Sequence, residues 1–473
     1  MKKTFRFLSM AALLVVGAIM TGCSSDDNID NPQQPANNDN VVTLTATVSL
    51  DGAAGTRAID GTTGAKTFET GKQIAVFYED ASGNLQKAVS TDFTPLTDAT
   101  KATFTVTLST PKSGGKIRYI YPASMAKALD AIPTAYPAAA TIDDVTIDYS
   151  GIFGSQNGTL TTLANYDLAV KDATLSGTDQ PATVTLTNPL AICKFTLTDG
   201  SNDITSSVNS LTISDGTNAY RVTPSGLSAI YVAMKPASGK IAFTARTSDS
   251  KTYFKTATGT SLAASKLYTN ITVGSMVELA LGNVFCSDGS VYATKDAATT
   301  AGKTPVAKIA YLGNDAETSP TNTAFKNGLA LALEDVSDTK TWCSQKSVTC
   351  LGTQYGNSTK FNDLAGIANT DALVGHNSHT HAAASAARNY NSGTHPAGTS
   401  AWFLPSAGQW DKMIGSTGLG LSNLGLLANV SYWSSTEDDA SHAWGFGSND
   451  GYWANSGSGK DAVTIRVRAC LAF

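Results

Sequence analysis

The strongest constraint on the fold is a strict alternation of apolar and polar residues, repeated in short runs between residues 41 and 275. The first run has apolar residues at every second position: Val42, Leu44, Ala46, Val48 and Leu50. Phe104, Val106 and Leu108 repeat the pattern. Successive side chains of an extended chain point to opposite faces, so each run predicts a strand with one buried face. Gly, Asn, Asp and Pro clusters between the runs predict turns.

Many short strands without long helical periodicity are typical of β-sandwiches. The length of this region favours two sandwiches, over residues 41–162 and 163–278. After residue 282 the pattern changes to a predicted strand at 305–311 and a predicted short helix at 325–334. All six tryptophans follow residue 340. We therefore expect a mainly β chain that ends in an α+β domain over residues 283–473.

The first 40 residues predict export and lipid attachment. Lys2 and Lys3 precede an apolar run at residues 8–20, which is too short to span a bilayer. The small-residue site Thr21-Gly22 leads to Cys23. We predict a lipoprotein signal peptide over residues 1–22, a lipid on Cys23 and a flexible polar tether over residues 23–40. An ordinary secreted protein with a chance cysteine is the alternative.

Composition excludes several functional classes. Charged residues make up 15% of the chain and the net charge is -5, with no basic stripe to bind nucleic acid. No later apolar run is long enough to span a membrane. The sequence lacks a Ser-His-Asp signature, a phosphate-binding loop and a zinc-protease helix motif. We therefore do not expect an enzyme.

Five cysteines remain after Cys23, an odd number for an oxidising compartment. Cys193 alternates with Phe195 and Leu197, which predicts a buried core thiol. Cys343 and Cys350 are close enough in sequence to form a short-loop disulfide or to stay as two free thiols. Cys286 and Cys470 are the candidates for a second bridge, between the first and last strands of the third domain.

The histidines also cluster in the last domain. His376, His379 and His381 have the spacing of metal ligands. The segment lacks a regular element to aim the rings, so a solvated polar loop is the favoured interpretation.

A ligand surface is predicted near residue 450, where aromatic and polar residues are interspersed with glycines. Its members are Trp444, Phe446, Asn449, Asp450, Tyr452 and Trp453. Such residues form either a platform for a glycan or protein ligand or part of the domain core. Calcium would need converging oxygen ligands, but the Glu-Pro-Asn and Trp-Asn-Asp triplets of sugar-binding lectins are absent. We therefore predict no cofactor, with calcium as an unsupported alternative.

Several phrases over residues 41–275 resemble the fimbrillins, the two-domain subunits of Bacteroidales type V pili. They are Gly55-Thr56-Arg57-Ala58, Phe68-Glu69-Thr70-Gly71, Ile120-Tyr121-Pro122 and the strand at 191–197. The resemblance implies two transthyretin-like β-sandwiches. It also implies cleavage between Arg57 and Ala58, which would free the first strand, with Val42, Leu44, Val48 and Leu50. A strand donated by another subunit would then fill the groove. The alternative is that Arg57 is an ordinary exposed loop residue.

The last domain resembles the C-type-lectin-like domains of bacterial surface adhesins and, distantly, formylglycine-generating enzymes. The matching phrases are Asn327-Gly328-Leu329, Trp402-Phe403-Leu404-Pro405-Ser406-Ala407-Gly408-Gln409-Trp410, Tyr432-Trp433-Ser434-Ser435 and Val467-Arg468-Ala469-Cys470. Here Ser406 is predicted to cap a helix that begins at Ala407. The cysteine pair at 343 and 350 precedes the Trp402 phrase, which departs from the enzymes.

Together these observations predict a surface-exposed, lipid-anchored fimbrial subunit of the outer membrane, of tip or accessory type. Ser24-Ser25-Asp26-Asp27 resembles the surface-export signal of Bacteroidota lipoproteins. Its partners would be other subunits, through strand donation, and an unidentified glycan or protein. The strand at the carboxyl end belongs to the lectin-like domain, which favours the tip. The alternatives are a non-polymerising lipoprotein that binds a glycan or host protein and, least favoured, an oxidoreductase.

Overall fold

The computed structural model describes residues 41–50 (backbone only), 68, 70–97, 101–126, 141–145, 147, 149–163, 168–181, 183–318, 324–336, 339–453 and 457–473. This part of the protein is mainly β, as predicted. The strands are β1 Val41–Leu50, β2 Ala75–Glu79, β3 Leu85–Val89, β4 Thr94–Pro95, β5 Lys101–Ser109, β6 Lys116–Tyr121, β7 Ala169–Thr174, β8 Thr183–Leu186, β9 Ala191–Leu197, β10 Val208–Ser214, β11 Ala219–Val222, β12 Ile230–Met234, β13 Ala237–Thr247, β14 Thr252–Leu262, β15 Leu267–Val273, β16 Val277–Glu278, β17 Val284–Cys286, β18 Val291–Tyr292, β19 Pro305–Leu312, β20 Gly328–Ala332, β21 Ser431–Glu437, β22 His442–Gly447, β23 Ser458–Gly459 and β24 Cys470–Ala472. The helices are α1 Ser150–Gly154, α2 Leu160–Leu163, α3 Lys295–Thr300, α4 Gly366–Val374, α5 Ala382–Arg388 and α6 Ala407–Ile414.

The first sandwich consists of two four-stranded sheets, in the orders β4-β5-β1-β8 and β3-β2-β6-β7. The alternation in β5 is confirmed: Phe104, Val106 and Leu108 are buried, and the residues between them are at least partly exposed. An aromatic cluster fills the space between the sheets. Phe93 stacks on Tyr121 at 5.0 Å, and Phe68 meets both rings edge-on. Burying one face of each sheet against the other is what the alternating pattern requires.

The second sandwich has a five-stranded sheet, β11-β10-β13-β14-β16, and a three-stranded sheet, β12-β9-β15. Helices α1 and α2 pack against its core through Ile152 and Leu163. The buried side chain of Gln156 donates to the carbonyls of Ile152 (2.8 Å) and Ala233 (2.9 Å) and accepts from the N–H of Ala233 (2.8 Å). These bonds satisfy the amide and attach the helical segment to β12.

The chain crosses between the two sandwiches more than once. The residues of α1 and α2 belong to the second core, yet β7 and β8, further along the chain, return to the first. β7 pairs with β6, and β8 pairs with β1. The expected boundary at residue 162 is therefore too early, because strands up to Leu186 complete the first sandwich. Local patterns could not show this, since the pairing partners are distant in sequence.

The third domain has a five-stranded sheet, β18-β17-β19-β20-β24, and a smaller sheet, β21-β22-β23. Ser406 caps α6 as predicted: its side chain accepts from the N–H of Gln409, whose own side chain accepts from the N–H of Ser406. The predicted helix at 325–334 is wrong, because Gly328–Ala332 is strand β20, with all five residues buried. A short apolar run buried on both faces has no period that separates strand from helix.

The second sandwich and the third domain share a packed interface. Phe254 of β14 meets Phe285 of β17 edge-on, with ring centroids 5.0 Å apart. Thr212 of β10 donates to the carbonyl of Ala324 (2.9 Å) and accepts from the side-chain amide of Asn327 (3.1 Å). Thr212 and Asn327 are both buried. The two domains are therefore joined by side-chain contacts as well as by the chain between them.

Among the residues described, none belongs to a helix that combines the length and apolar character needed to cross a bilayer.

Candidate functional site

The first candidate site is the position of β1 inside its sheet. β1 runs antiparallel to β5 over nine residue pairs, from Val41 opposite Ser109 to Ser49 opposite Lys101. On its other side, residues 47–50 run parallel to residues 183–186 of β8. β1 is thus an interior strand of this sheet, and its backbone joins β5 on one side to β8 on the other.

The neighbours of β1 present buried apolar side chains at the matching register positions. Opposite Val42, Leu44, Ala46 and Val48 stand Leu108, Val106, Phe104 and Ala102 of β5, and all four of these are buried. Val184 and Leu186 of β8, paired with Val48 and Leu50, are buried too. Directly paired residues of adjacent strands share a face of the sheet. The slot that β1 fills is therefore lined with core residues.

Three predicted processing residues, Cys23, Arg57 and Ala58, lie outside the residues that the structure describes. The sequence places Arg57 seven positions after the end of β1.

The second candidate site is the predicted ligand surface, and part of that prediction is wrong. Trp444 and Phe446 lie on β22 and are fully buried. The Trp444 indole N–H donates to the carbonyl of Tyr355 (2.5 Å). Phe446 packs between Trp410 and Tyr432. Both are core residues, because the alternation of β22 turns these side chains inward.

What remains exposed is the turn that follows β22. Tyr452 is 60% exposed, and Asn449 and Asp450 are exposed beside it. Trp453 is half-buried against Phe446. The turn is fixed by bonds in both directions between Asn449 and Asn429, at 2.6 and 2.7 Å. A ligand reaching this turn would meet one aromatic ring and several amide and carboxylate groups.

An open polar groove of about 510 Å³ lies next to this turn. Its lining includes Ser431, Asn449, Asp450 and Thr464, together with Asn429. Sequence reasoning missed Asn429, Ser431 and Thr464, which β21 and the segment before β24 bring to the same place. No local motif marks them, because the pairing of β21 with β22 and the bridge between Tyr432 and Arg466 make these segments neighbours.

A buried ion pair orders the opposite part of the small sheet. The carboxylate of Glu437 and the ammonium group of Lys460 are both fully buried and in contact. Glu437 also accepts from the N–H groups of Cys350 (2.8 Å) and Leu351 (2.9 Å). Lys460 donates to the carbonyls of Val348 (2.7 Å) and Ala440 (2.9 Å). Two charged side chains shielded from solvent thus hold the loop at 348–351 in one place.

The cysteine predictions have mixed outcomes. Cys193 is a buried core thiol as predicted, and burial raises its pKa to about 12. A bridge between Cys286 and Cys470 is wrong: both are free, and β19 and β20 lie between their strands. Adjacent strands are about 4.8 Å apart, so three such steps exceed the reach of a disulfide. Cys343 and Cys350 are also free thiols, with sulfurs 3.8 Å apart.

The histidine segment is more ordered than predicted. The rings of His376 and His379 stack with centroids 4.9 Å apart, and His376 meets His381 edge-on at 5.3 Å. His381 is 2% exposed. The solvated-loop interpretation is therefore wrong for His381, which is a core residue at the start of α5.

No family model and no curated protein matches this chain. Solved structures do align with it. A fimbrial protein from Bacteroides ovatus aligns at 14% identity over 91% of this chain and 100% of its own, with a TM-score of 0.32. A "putative cell adhesion protein" from Bacteroides fragilis aligns at 14% identity over 50% of this chain and 96% of its own, with a TM-score of 0.28. Another "putative cell adhesion protein", from Bacteroides ovatus, aligns at 13% identity over 50% of this chain and 95% of its own, with a TM-score of 0.27.

Proposed function

We propose that this chain is a cell-surface fimbrial subunit, of tip or accessory type, that adheres through its third domain. Its first strand would be a replaceable element, removed by proteolysis after Arg57 and replaced by a strand from another subunit. The lipid on Cys23 would anchor the protein to the outer membrane before cleavage. The observation that carries the proposal is the interior position of β1 between β5 and β8.

Removing β1 would open two facing strand edges at once. Both β5 and β8 would lose backbone hydrogen-bond partners along the slot. Buried apolar residues on both strands would meet water, and each is worth roughly 1.5–3 kcal/mol when fully buried. A domain has only about 5–15 kcal/mol of net stability, so the cleaved sandwich would have a strong tendency to bind a new strand.

The geometry also defines an acceptable occupant. It must pair antiparallel with β5 and parallel with β8, and it must carry apolar residues at alternate positions. β24 could not be released as such a strand without loss, because it pairs with β20 inside the third domain and all three of its residues are buried.

The proposal is tested by processing and strand capture. Protein recovered from the cell surface should start at Ala58 by intact-mass analysis, and the Arg57→Ala variant should retain the residues before it. Lys66→Ala is the matched control, since it removes a neighbouring basic residue without touching the proposed site. The cleaved protein should bind a synthetic peptide of residues 41–50, and the intact protein should not. Unchanged processing of Arg57→Ala, or no peptide capture, would refute strand exchange.

A second candidate is a non-polymerising lipoprotein that binds a glycan or host protein. The observation that favours it is that β1 of this chain already fills the slot between β5 and β8, so the sheet of the first sandwich needs no donated strand. A lipidated start at Cys23 on all surface protein would support this candidate.

A further inference from the structure

Three side chains of the third domain converge at a point that the proposed function does not use. The sulfurs of Cys343 and Cys350 are 3.8 Å apart. A ring nitrogen of His381 completes a group whose ligand atoms all lie within 4.8 Å of one another. The two thiols lie seven residues apart and the imidazole 31 residues further on, so the fold brings the histidine to the cysteines.

The orientation of His381 suits a ligand. Its Nδ1 lies 3.2 Å from the carbonyl oxygen of Trp342, to which an Nδ1–H would donate. That tautomer leaves a lone pair on Nε2, which is buried and has no hydrogen-bond partner within the described part of the chain. Metal-bound histidines commonly donate their other ring N–H to a backbone carbonyl in this way. Without a metal, an unpartnered buried nitrogen is destabilising, because it has given up its hydrogen bond to water.

The segments that carry the three residues are tied to one another. Ser344 donates its N–H to the carbonyl of Thr380 (2.9 Å), and Thr380 donates its N–H to the Ser344 hydroxyl (3.1 Å). The N–H of Cys343 donates to the Lys460 carbonyl (3.0 Å), and that of Cys350 donates to Glu437 (2.8 Å). The two residues of the buried ion pair thus position both cysteines, Lys460 through its backbone carbonyl and Glu437 through its carboxylate. Such a rigid supporting shell is a requirement for a metal site.

We propose that Cys343, Cys350 and His381 form a binding site for a thiophilic divalent cation of the Zn²⁺ class. With Zn–S bonds of about 2.3 Å and tetrahedral angles, two bound sulfurs lie about 3.8 Å apart. The observed separation matches this value and is far longer than the roughly 2.05 Å of a disulfide. Two thiolates would neutralise the dication, and both thiols would lose their protons when it binds.

A tetrahedral site needs a fourth ligand, and two further histidines lie beside His381: His376 stacks on His379 and meets His381 edge-on. Nδ1 of His376 already accepts from the N–H of Ser378 (3.3 Å). Nδ1 of His379 is buried and has no partner among the described residues. His379 is therefore assigned to the fourth position, which its ring would reach by rotating toward the sulfurs.

Metal binding to the purified full chain tests the assignment. The protein is reduced, stripped with a chelator and titrated with Zn²⁺, and with Co²⁺ as a spectroscopic probe. We expect one equivalent to bind, with thiolate-to-cobalt charge-transfer absorption and a rise in melting temperature. X-ray absorption of the zinc form should show two sulfur and two nitrogen ligands, a result that needs no variant.

Variants then show which side chains bind the ion. Cys343→Ser, Cys350→Ser and His381→Ala should each weaken Zn²⁺ binding more than the 10–100-fold typical of losing an outer-shell partner. His379→Ala should weaken it less. Cys286→Ala and His442→Ala, which alter a cysteine and a histidine elsewhere in the domain, should bind as the parent does. Absence of stoichiometric Zn²⁺ in the reduced parent would overturn the proposal. Finding the two thiols joined as a disulfide in protein isolated from cells without reductant would overturn it as well.

Discussion

The carboxylate of Glu437 and the ammonium of Lys460 form an ion pair in which neither side chain touches solvent. Around it are the N–H groups of Cys350 and Leu351 and the carbonyls of Val348 and Ala440. Val348, Cys350 and Leu351 belong to one loop, and Ala440 lies in the turn between β21 and β22. The pair is therefore the point at which the loop at 348–351 and the hairpin of β21 and β22 are held together.

Removing one partner of this pair should destabilise the third domain severely. Glu437→Gln or Lys460→Met leaves an uncompensated buried charge, so we expect a loss of about 3–5 kcal/mol in the free energy of unfolding. Denaturant unfolding in a chelator measures this without any contribution from bound metal. The control is Lys346→Met, which breaks a pair with Asp461 whose members are 69% and 43% exposed and should cost less than about 1 kcal/mol. Equal effects of the two lysine changes would contradict this account.

A proline in β1 should loosen the first sandwich. Ala46 lies in the middle of the strand, opposite Phe104 of β5, and the neighbouring Thr105 bonds outward to Thr91, so the N–H of Ala46 faces β5. Ala46→Pro removes that N–H and restricts the chain, so we expect a loss of about 1–3 kcal/mol and faster proteolysis of β1. Ala46→Ser, which keeps the N–H, is the control. If melting and proteolysis of the proline variant equal those of the parent, β1 adds nothing to the stability of the sandwich.

In the turn after β22, a substitution should reduce ligand binding without reducing the stability of the domain. Tyr452→Ala alters an exposed ring, so we expect a change within about 0.5 kcal/mol in unfolding free energy and a clear loss of binding on a glycan and matrix-protein panel. Trp444→Ala empties a core position and should cost about 3–5 kcal/mol. Full binding by Tyr452→Ala would place the ligand surface elsewhere. The panel is run with and without calcium.

Acid should weaken the bond between Arg118 and Asp172 in the first sandwich. The hydrogen bond from Arg118, at 2.7 Å, lowers the pKa of Asp172, and partial burial opposes it. The contribution of the ionised Asp172 to the free energy of unfolding is therefore fully present above its unfolded-state pKa of about 3.9. That contribution is lost as the pH falls through the lower folded-state pKa. Because Asp172 is 62% exposed, the effect should stay below about 1 kcal/mol.

Melting curves of Asp172→Asn between neutral pH and pH 2 check this. The variant should melt slightly below the parent at neutral pH and coincide with it in strong acid. Asp143→Asn, whose carboxylate is 4.0 Å from Arg118, should follow the parent throughout. A gap between Asp172→Asn and the parent that widened in acid would contradict the sign.

The sequence predicted features that depend on local pattern. The alternation of β5, the cap at Ser406 and the burial of Cys193 follow from residues a few positions apart, and the structure confirms all three. Prediction from the sequence failed where complete burial removes the alternation of apolar and polar residues, as in Gly328–Ala332, whose five residues are all buried. It also failed where distant segments meet.

The metal-binding candidates show that second kind of failure. Cys343 and Cys350 are close in sequence, but His381 follows 31 residues after Cys350 and is held beside them by tertiary contacts such as its own with Trp342 and those of Ser344 with Thr380. The return of β8 to pair with β1 is of the same kind. Neither spacing matches a local motif, so no inspection of neighbouring residues could have found either.

The contact between Phe254 and Phe285 bears on how the protein would carry mechanical load. A flexible hinge lets an attached domain swivel, so tension first straightens the hinge. Here the aromatic contact and the bonds of Thr212 to Ala324 and Asn327 join the two domains side by side. Pulling on the third domain would therefore strain the sheet of β10, β13 and β14 at once, and the pair would respond to shear as one stiff body.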